Sequence, residues 1–143
     1  MIRRMKPGDL DRIMEIWLTS NLEAHSFVSP SYWQSNLPAV RDAIAQAEVY
    51  LFCHNEEICG FIGLVGDHIA GIFVDSGYRS AGVGRSLLED AFTRREKLTL
   101  EVYAENMRAV SFYRNLGFTV ANEGIDPDTG HTELTMNWRR KPA

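Results

Sequence analysis

The hexapeptide Arg79-Ser80-Ala81-Gly82-Val83-Gly84 separates an almost wholly apolar run, Ile69 to Val74, from a segment that brings Leu87, Leu88 and Ala91 onto one helical face. A strand, a glycine turn and a helix in that order can hold an anion. The first N–H groups of a helix lack intrahelical acceptors and the helix dipole is positive there, so a phosphate or pyrophosphate is bound without cationic side chains. Gly82 and Gly84 let the backbone approach the anion where a Cβ would obstruct it. On its own the glycine pair is equally compatible with a tight strand-to-helix turn. It is not the GxGxxG nucleotide fingerprint, whose third glycine is missing, nor a P-loop, which ends in Gly-Lys-Ser/Thr. A nucleotide or phosphate-ester enzyme is therefore disfavoured.

Other chemistry is scarce. Neither HExxH nor any clustered Cys/His spacing occurs, so no metal is expected. Cys53 and Cys59 lie in adjoining β-rich runs and read as small buried hydrophobes in a reducing compartment. Neither stands where a nucleophile is expected.

These residues must be positioned by a chain of 143 residues, which fits a single domain over 1–143 able to bury roughly 70% of its unfolded surface. The apolar share is 45% and the charged share 24%, a balance that supports a real core. A net charge of -4 argues against a nucleic-acid partner, which would need a basic face. The opening MIRRMKPGD has no signal-like apolar stretch, and the longest apolar run, Ile58 to Gly66, is too short to span a bilayer, so a cytoplasmic protein without membrane attachment is expected. Oligomeric state is not legible.

Along the chain, Met1 to Met5 reads as a short strand closed by Pro7-Gly8. Asp9 could then cap a helix carrying Leu10, Ile13, Met14, Trp17 and Leu18 on one face. His25 to Pro30 has no period. Tyr32, Trp33, Leu37, Val40, Ile44 and Ala47 recur at helical intervals, with Tyr32 and Trp33 read as core. Val49 to Cys53 and Ile58 to Val65 form a hairpin around His54-Asn55-Glu56-Glu57, and Ile69 to Val74 is a strand apolar enough to be buried on both faces. The remainder alternates: a helix from Val83 to Arg94, a strand Leu98 to Val102, a helix Met107 to Leu116, a strand Phe118 to Val120, a turn Asp126 to Gly130 and a last strand Thr132 to Trp138. The class is α/β, with an antiparallel N-terminal part.

Two ordered stretches carry a resemblance. Arg79, Gly82 and Gly84 match a (Q/R)xxGx(G/A) signature, and Leu100 to Phe118 places Asn106 after a strand and a Phe112-Tyr113-Arg114-Asn115-Leu116-Gly117-Phe118 helix end behind it. In both, and over most of its length, the chain resembles the GCN5-related N-acetyltransferase (GNAT) superfamily, most of all its small bacterial members of uncharacterised or protein-lysine type. The resemblance implies a mixed central sheet flanked by helices, splayed between its fourth and fifth strands. It implies acetyl-CoA as donor, with the pantetheine arm along Ile72, Phe73 and Val74 and the pyrophosphate cradled from Arg79 through Ala81, Gly82, Val83, Gly84, Arg85 and Ser86. Asn106 would contact the cofactor, and Tyr113 would present its phenol to the thioester sulfur as general acid.

The implied reaction is direct, sequential transfer of acetyl to a primary amine of a protein or a small molecule. A phenol of pKa ~10 can protonate a departing thiolate of comparable basicity. An amine of pKa ~10.4 must lose a proton to attack, which at pH 7 costs about 4.6 kcal/mol without a base. Histone-modifying relatives carry a Glu at the position occupied here by His68, and a histidine could accept the proton directly or through water. His25 and Phe27 lie in the irregular stretch where the family shapes its acceptor pocket. The rival reading is a non-catalytic acyl-CoA-binding or sensor module, which would have no need of Tyr113.

Overall fold

In the computed structural model, which describes residues 1–79 and 81–142, the chain forms two compact units, Met1–Ala91 and Phe92–Ala143. The first is organised by α1 (Leu10–Ala24), whose Ile13, Met14, Ile16, Trp17, Ser20 and Asn21 recur at intervals of three and four and are all buried. Asp9 precedes α1 but does not cap it through its side chain. Its carboxylate accepts from the Lys6 N–H at 2.8 Å and pairs with Arg3 at 2.8 Å, which ties the helix entry to the first strand.

Where the spacing predicts one helix from Tyr32 to Ala47, the structure has two, α2 (Pro30–Ser35) and α3 (Leu37–Gln46). Pro38 has no N–H and its ring would meet the carbonyl four residues back, so the helix restarts with the proline in its first turn. At the break the Tyr32 carbonyl accepts from Asn36 Nδ2 at 2.7 Å, from Ser35 Oγ at 3.0 Å and from the Asn36 N–H at 3.3 Å.

Four strands complete this unit: β1 (Ile2–Arg4), β2 (Glu48–His54), β3 (Glu57–Val65) and β4 (His68–Val74), each antiparallel to the next. The β2–β3 hairpin turns through Asn55 and Glu56, both at positive φ, as a tight two-residue loop requires. The strand buried on both faces is β3, between β2 and β4, and not β4 as its apolar composition predicts. Every residue from Ile58 to Leu64 is buried, whereas in β4 Ile69 alone is buried and Ala70 is exposed. Register shifts between Gly63 and Leu64 leave Ala70 as an extra residue on β4, a bulge that turns the strand.

The glycine turn follows β4 and leads into α4 (Val83–Arg94), within which the unit boundary falls. The second unit holds β5 (Lys97–Tyr103), α5 (Met107–Asn115), β6 (Thr119–Ile125) and β7 (Thr132–Arg139), with β7 antiparallel to both β5 and β6. Leu98, Leu100, Val102, Phe118 and Met136 are its core, and Phe92 stacks on Trp138 with centroids 4.0 Å apart. The strand predicted at Phe118 to Val120 starts one residue later and runs to Ile125. Exposed throughout, it has no buried face to leave an alternating pattern, and its pairing with β7 makes it a strand. Both units are thus mixed α/β. Among the described residues no helix is long and apolar enough to cross a membrane.

Candidate active site

The turn between β4 and α4 is anchored at both ends. Asp75, the first residue after β4, accepts from Gly77 N–H at 2.8 Å and from the Arg12 guanidinium of α1 at 2.7 Å, while its own N–H donates to Cys59 O. Gly77 and then Arg12 hold its carboxyl below the usual carboxylate range. Tyr78 donates its hydroxyl to Glu57 at 2.9 Å, and Arg79 pairs with Glu23 at 2.8 Å. Ser80 lies outside the described residues. Gly82 adopts φ +82, the left-handed region that glycine enters without strain, and a Cβ there would meet nothing within 4 Å.

Helix α4 starts immediately after Gly82. Ser86 N–H donates to Gly82 O at 3.0 Å, so the N–H groups of Val83, Gly84 and Arg85 precede the first intrahelical acceptors. Val83 is buried and seats the turn against β3: a Cβ on Gly60 would lie 3.0 Å from Val83 Cγ1 and 2.8 Å from Phe73 O. This close approach has no local signature in the sequence, since Gly60 lies inside an apolar strand run. The Arg85 side chain is exposed and faces Glu89 at 3.5 Å.

The C-terminal part of α1 lies against the same turn. Ser20 Oγ donates to Val74 O at 3.3 Å, and Glu23 holds Arg79. The Arg79 guanidinium is therefore engaged by a carboxylate. Buried Asn21 donates its Nδ2 to Trp17 O at 2.9 Å and meets His25 Nδ1 through Oδ1 at 3.0 Å. His25 ends the helix, edge-on to Phe27 at 5.6 Å and tilted 30° over Trp33 at 5.4 Å, and burial lowers its pKa. Trp33 is core, packed edge-on against Trp17 at 6.0 Å, and Tyr32 is half-buried. Among the described residues no partner accepts from the buried Trp33 Nε1.

Ile72, Phe73 and Val74 pair with Ile62, Phe61 and Gly60 of β3, and the Phe73 and Phe61 rings lie 5.3 Å apart. His68 is at the other end of the strand, paired with Val65 beside the Gly66-Asp67 turn. Six strand steps, roughly 20 Å, separate it from Val74. His68 thus stands at the other end of β4 from the glycine turn, while His25 is grouped with Phe27 and Trp33 at the end of α1.

In the second unit Asn106 is the N-cap of α5, its Oδ1 accepting from Ala109 N–H at 3.2 Å. Tyr113, two turns along α5, is 8% exposed and packs edge-on between Phe112 at 5.3 Å and Phe118 at 5.5 Å. Burial pushes its phenol well above the ordinary range, so it stays protonated at any working pH. No hydrogen bond among the described residues uses its hydroxyl. No group of three His, Cys, Asp or Glu among those residues could hold a metal ion.

Residues 45–120 match the family described as an acetyltransferase (GNAT) domain. The chain is 31% identical over 140 residues to the peptidyl-lysine N-acetyltransferase YiaC of Escherichia coli (strain K12), covering 96% of each. It is also similar to the solution structure of apo-form YjaB from Escherichia coli, with a TM-score of 0.87, 28% identity and 99% and 98% of the two chains covered. A structure of yncA from Salmonella typhimurium with its cofactor acetyl-CoA shares the fold at 17% identity and a TM-score of 0.73, covering 100% of this chain and 95% of the other.

Proposed function

We propose that this chain, which belongs to the GNAT family and is an acetyl-CoA-dependent N-acetyltransferase, delivers the acetyl group to lysine side chains of proteins. The lysine reading is carried by its near full-length similarity to YiaC, a peptidyl-lysine N-acetyltransferase. Residues 1–143 then act as one N-acetyltransferase domain, and the enzyme works where acetyl-CoA and its protein substrates meet, in the bacterial cytoplasm.

Transfer is direct and sequential. The pyrophosphate of acetyl-CoA takes the N–H groups that open α4, along the stretch Arg79, Ala81, Gly82, Val83, Gly84, Arg85 and Ser86. The pantetheine arm runs along Ile72, Phe73 and Val74, whose backbone N–H groups polarise the thioester carbonyl. Asn106 spends its Oδ1 on capping α5, so its contact with the cofactor goes through the amide nitrogen. Tyr113, kept protonated by burial, donates to the departing sulfur. Phe27 and His25 border the acceptor, and His68 and His25 are the candidates for taking the ammonium's proton.

The test is acetyl-CoA-dependent thiol release, with mass analysis of the products, across lysine peptides, the same peptides with Lys→Arg, polyamines and aminoglycosides. Acetylation confined to peptides with a free lysine is expected. Turnover of small amines alone would remove the lysine assignment, and tight acetyl-CoA binding without turnover of any amine would favour a binding module.

A further inference from the structure

The turn that joins β5 to α5 is held from outside at three successive residues. Asn106 N–H donates to Tyr103 O at 3.0 Å, which closes Tyr103-Ala104-Glu105-Asn106 as a β-turn. Tyr103 donates its hydroxyl to Asp126 Oδ2 at 2.6 Å, Ala104 N–H donates to Thr132 O at 3.0 Å, and His131 Nδ1 meets Glu105 Oε1 at 2.8 Å. A carboxylate oxygen accepts, so the hydrogen of this last contact is on Nδ1. One segment, residues 126–132 between β6 and β7, thus holds Tyr103 and Glu105 by their side chains and Ala104 by its backbone.

That segment is itself well braced. Asp126 N–H donates to His131 O at 2.9 Å and Gly130 N–H to Asp126 O at 2.7 Å, with Gly130 at φ +75, where glycine is unstrained. Asp126 divides its carboxylate: Oδ1 accepts from Asp128 N–H at 2.9 Å and Oδ2 takes the Tyr103 hydroxyl. The His131–Glu105 pair is open to water, at 29% and 52%, and adds little to stability. Its effect is on where Glu105, and with it Asn106, comes to rest. Tyr113 is seated by other contacts. Its ring packs between Phe112 and Phe118, and its carbonyl accepts from the N–H groups of Leu116 at 3.1 Å and Phe118 at 3.0 Å.

We propose that Asp126 and His131 are positioning residues for acetyl-CoA, the β6–β7 loop acting as a clasp that sets the turn carrying Asn106 while the seat of Tyr113 stays independent of it. The assignment rests on the acetyltransferase reading, in which the Asn106 amide nitrogen meets the cofactor. Asn106 Oδ1 is fixed to Ala109 N–H, so a displacement of the turn carries the amide nitrogen with it. A shift of about 0.5 Å takes a hydrogen bond out of its favourable range. The clasp therefore acts on the affinity for acetyl-CoA and not on the transfer step once the donor is bound.

The experiment is calorimetric titration of acetyl-CoA at neutral pH into wild type, His131→Ala, His131→Asn and Tyr103→Phe, with kcat and KM measured on a lysine peptide. H131A removes the ring that holds Glu105, H131N keeps an N–H close to the place of Nδ1, and Y103F removes only the hydroxyl that reaches Asp126. The Kd for acetyl-CoA is expected to rise roughly three- to tenfold in H131A and in Y103F. H131N should stay within about twofold of wild type, and kcat at saturating donor should stay within about twofold in every variant. Unchanged affinity in H131A or in Y103F overturns the proposal, as does an H131N as weak as H131A or a kcat that falls as far as the Kd rises. A peptide KM that rises while acetyl-CoA affinity holds also overturns it and gives the loop to the acceptor. Urea unfolding monitors the fold, and if H131A does not fold, Y103F decides. Should wild type bind acetyl-CoA and acetylate no lysine peptide, the lysine reading fails, while the calorimetry still decides the clasp.

Discussion

Glu23 Oε2 stands 2.8 Å from Arg79 Nη1, so the residue that opens the glycine turn is held by the last turn of α1. The turn is positioned from a helix far away in sequence, and the arginine of the signature acts here as a tether. Because both side chains are partly exposed, at 32% and 41%, the pair contributes little to overall stability.

For Glu23→Gln we expect less than about 1 kcal/mol of destabilisation in urea unfolding. The KM for acetyl-CoA should rise by up to about fivefold, the equivalent of about 1 kcal/mol, with kcat little changed. A fall in kcat at unchanged KM would show that the pair serves the chemistry and not the positioning of the turn.

Two glycines should fail for different reasons. Gly82→Ala meets no atom within 4 Å but must hold φ +82, so it should lose about 1–2 kcal/mol, and acetyl-CoA affinity in calorimetry should drop with it. Gly60→Ala has ordinary backbone freedom but a contact of 2.8 Å with Phe73 O, which forces β3 and β4 apart. A loss of about 1–3 kcal/mol in thermal or urea unfolding is expected.

Tyr113→Phe removes only a hydroxyl outside the described hydrogen bonds, so stability at pH 7 should change by less than about 1 kcal/mol while kcat falls roughly 10²–10⁴-fold. The alkaline limb gives a second reading. With the folded phenol pKa above its unfolded value of ~10, the unfolded chain loses this proton first, and wild type loses stability as pH rises beyond that point. Y113F should lose less over the same range in urea titrations.

Asp75→Asn should cost about 1–2 kcal/mol at pH 7, through the lost charge-assisted contact with Arg12. The folded carboxyl titrates below the unfolded one, so its contribution is present above the unfolded pKa of ~3.9 and is lost as pH falls through the folded value. The gap between wild type and D75N should therefore close in acid, and a gap that persists at pH 2 would place the cost elsewhere.

What the chain spells out locally is what could be read. The buried face of α1, the β2–β3 hairpin and the glycine turn before α4 each follow from spacing within one element. The candidate donor turn could be read for that reason, since Gly82 and the start of α4 at Val83 follow one another in the chain. The break at Asn36 was also local, signalled by Pro38, yet the apolar period ran across it. The modest burial of β4 was not legible, because composition records how apolar a strand is and not what covers it.

By itself, then, the amino-acid sequence determined the element types, the order of the two motifs and hence the donor, since periodicity, caps and glycine turns act over a few residues. Tertiary structure alone decided which side chains meet. Arg12 with Asp75, Ser20 with Val74 and Glu23 with Arg79 join segments distant in sequence, and such contacts leave no period to read. The link between Asn21 and His25 spans only one helical turn, but its meaning required knowing that Trp17 O occupies the other end of the amide. His25 meets Asn21 Oδ1, Phe27 and Trp33 at the end of α1 while His68 stands at the start of β4, a separation that only the folding of the chain sets.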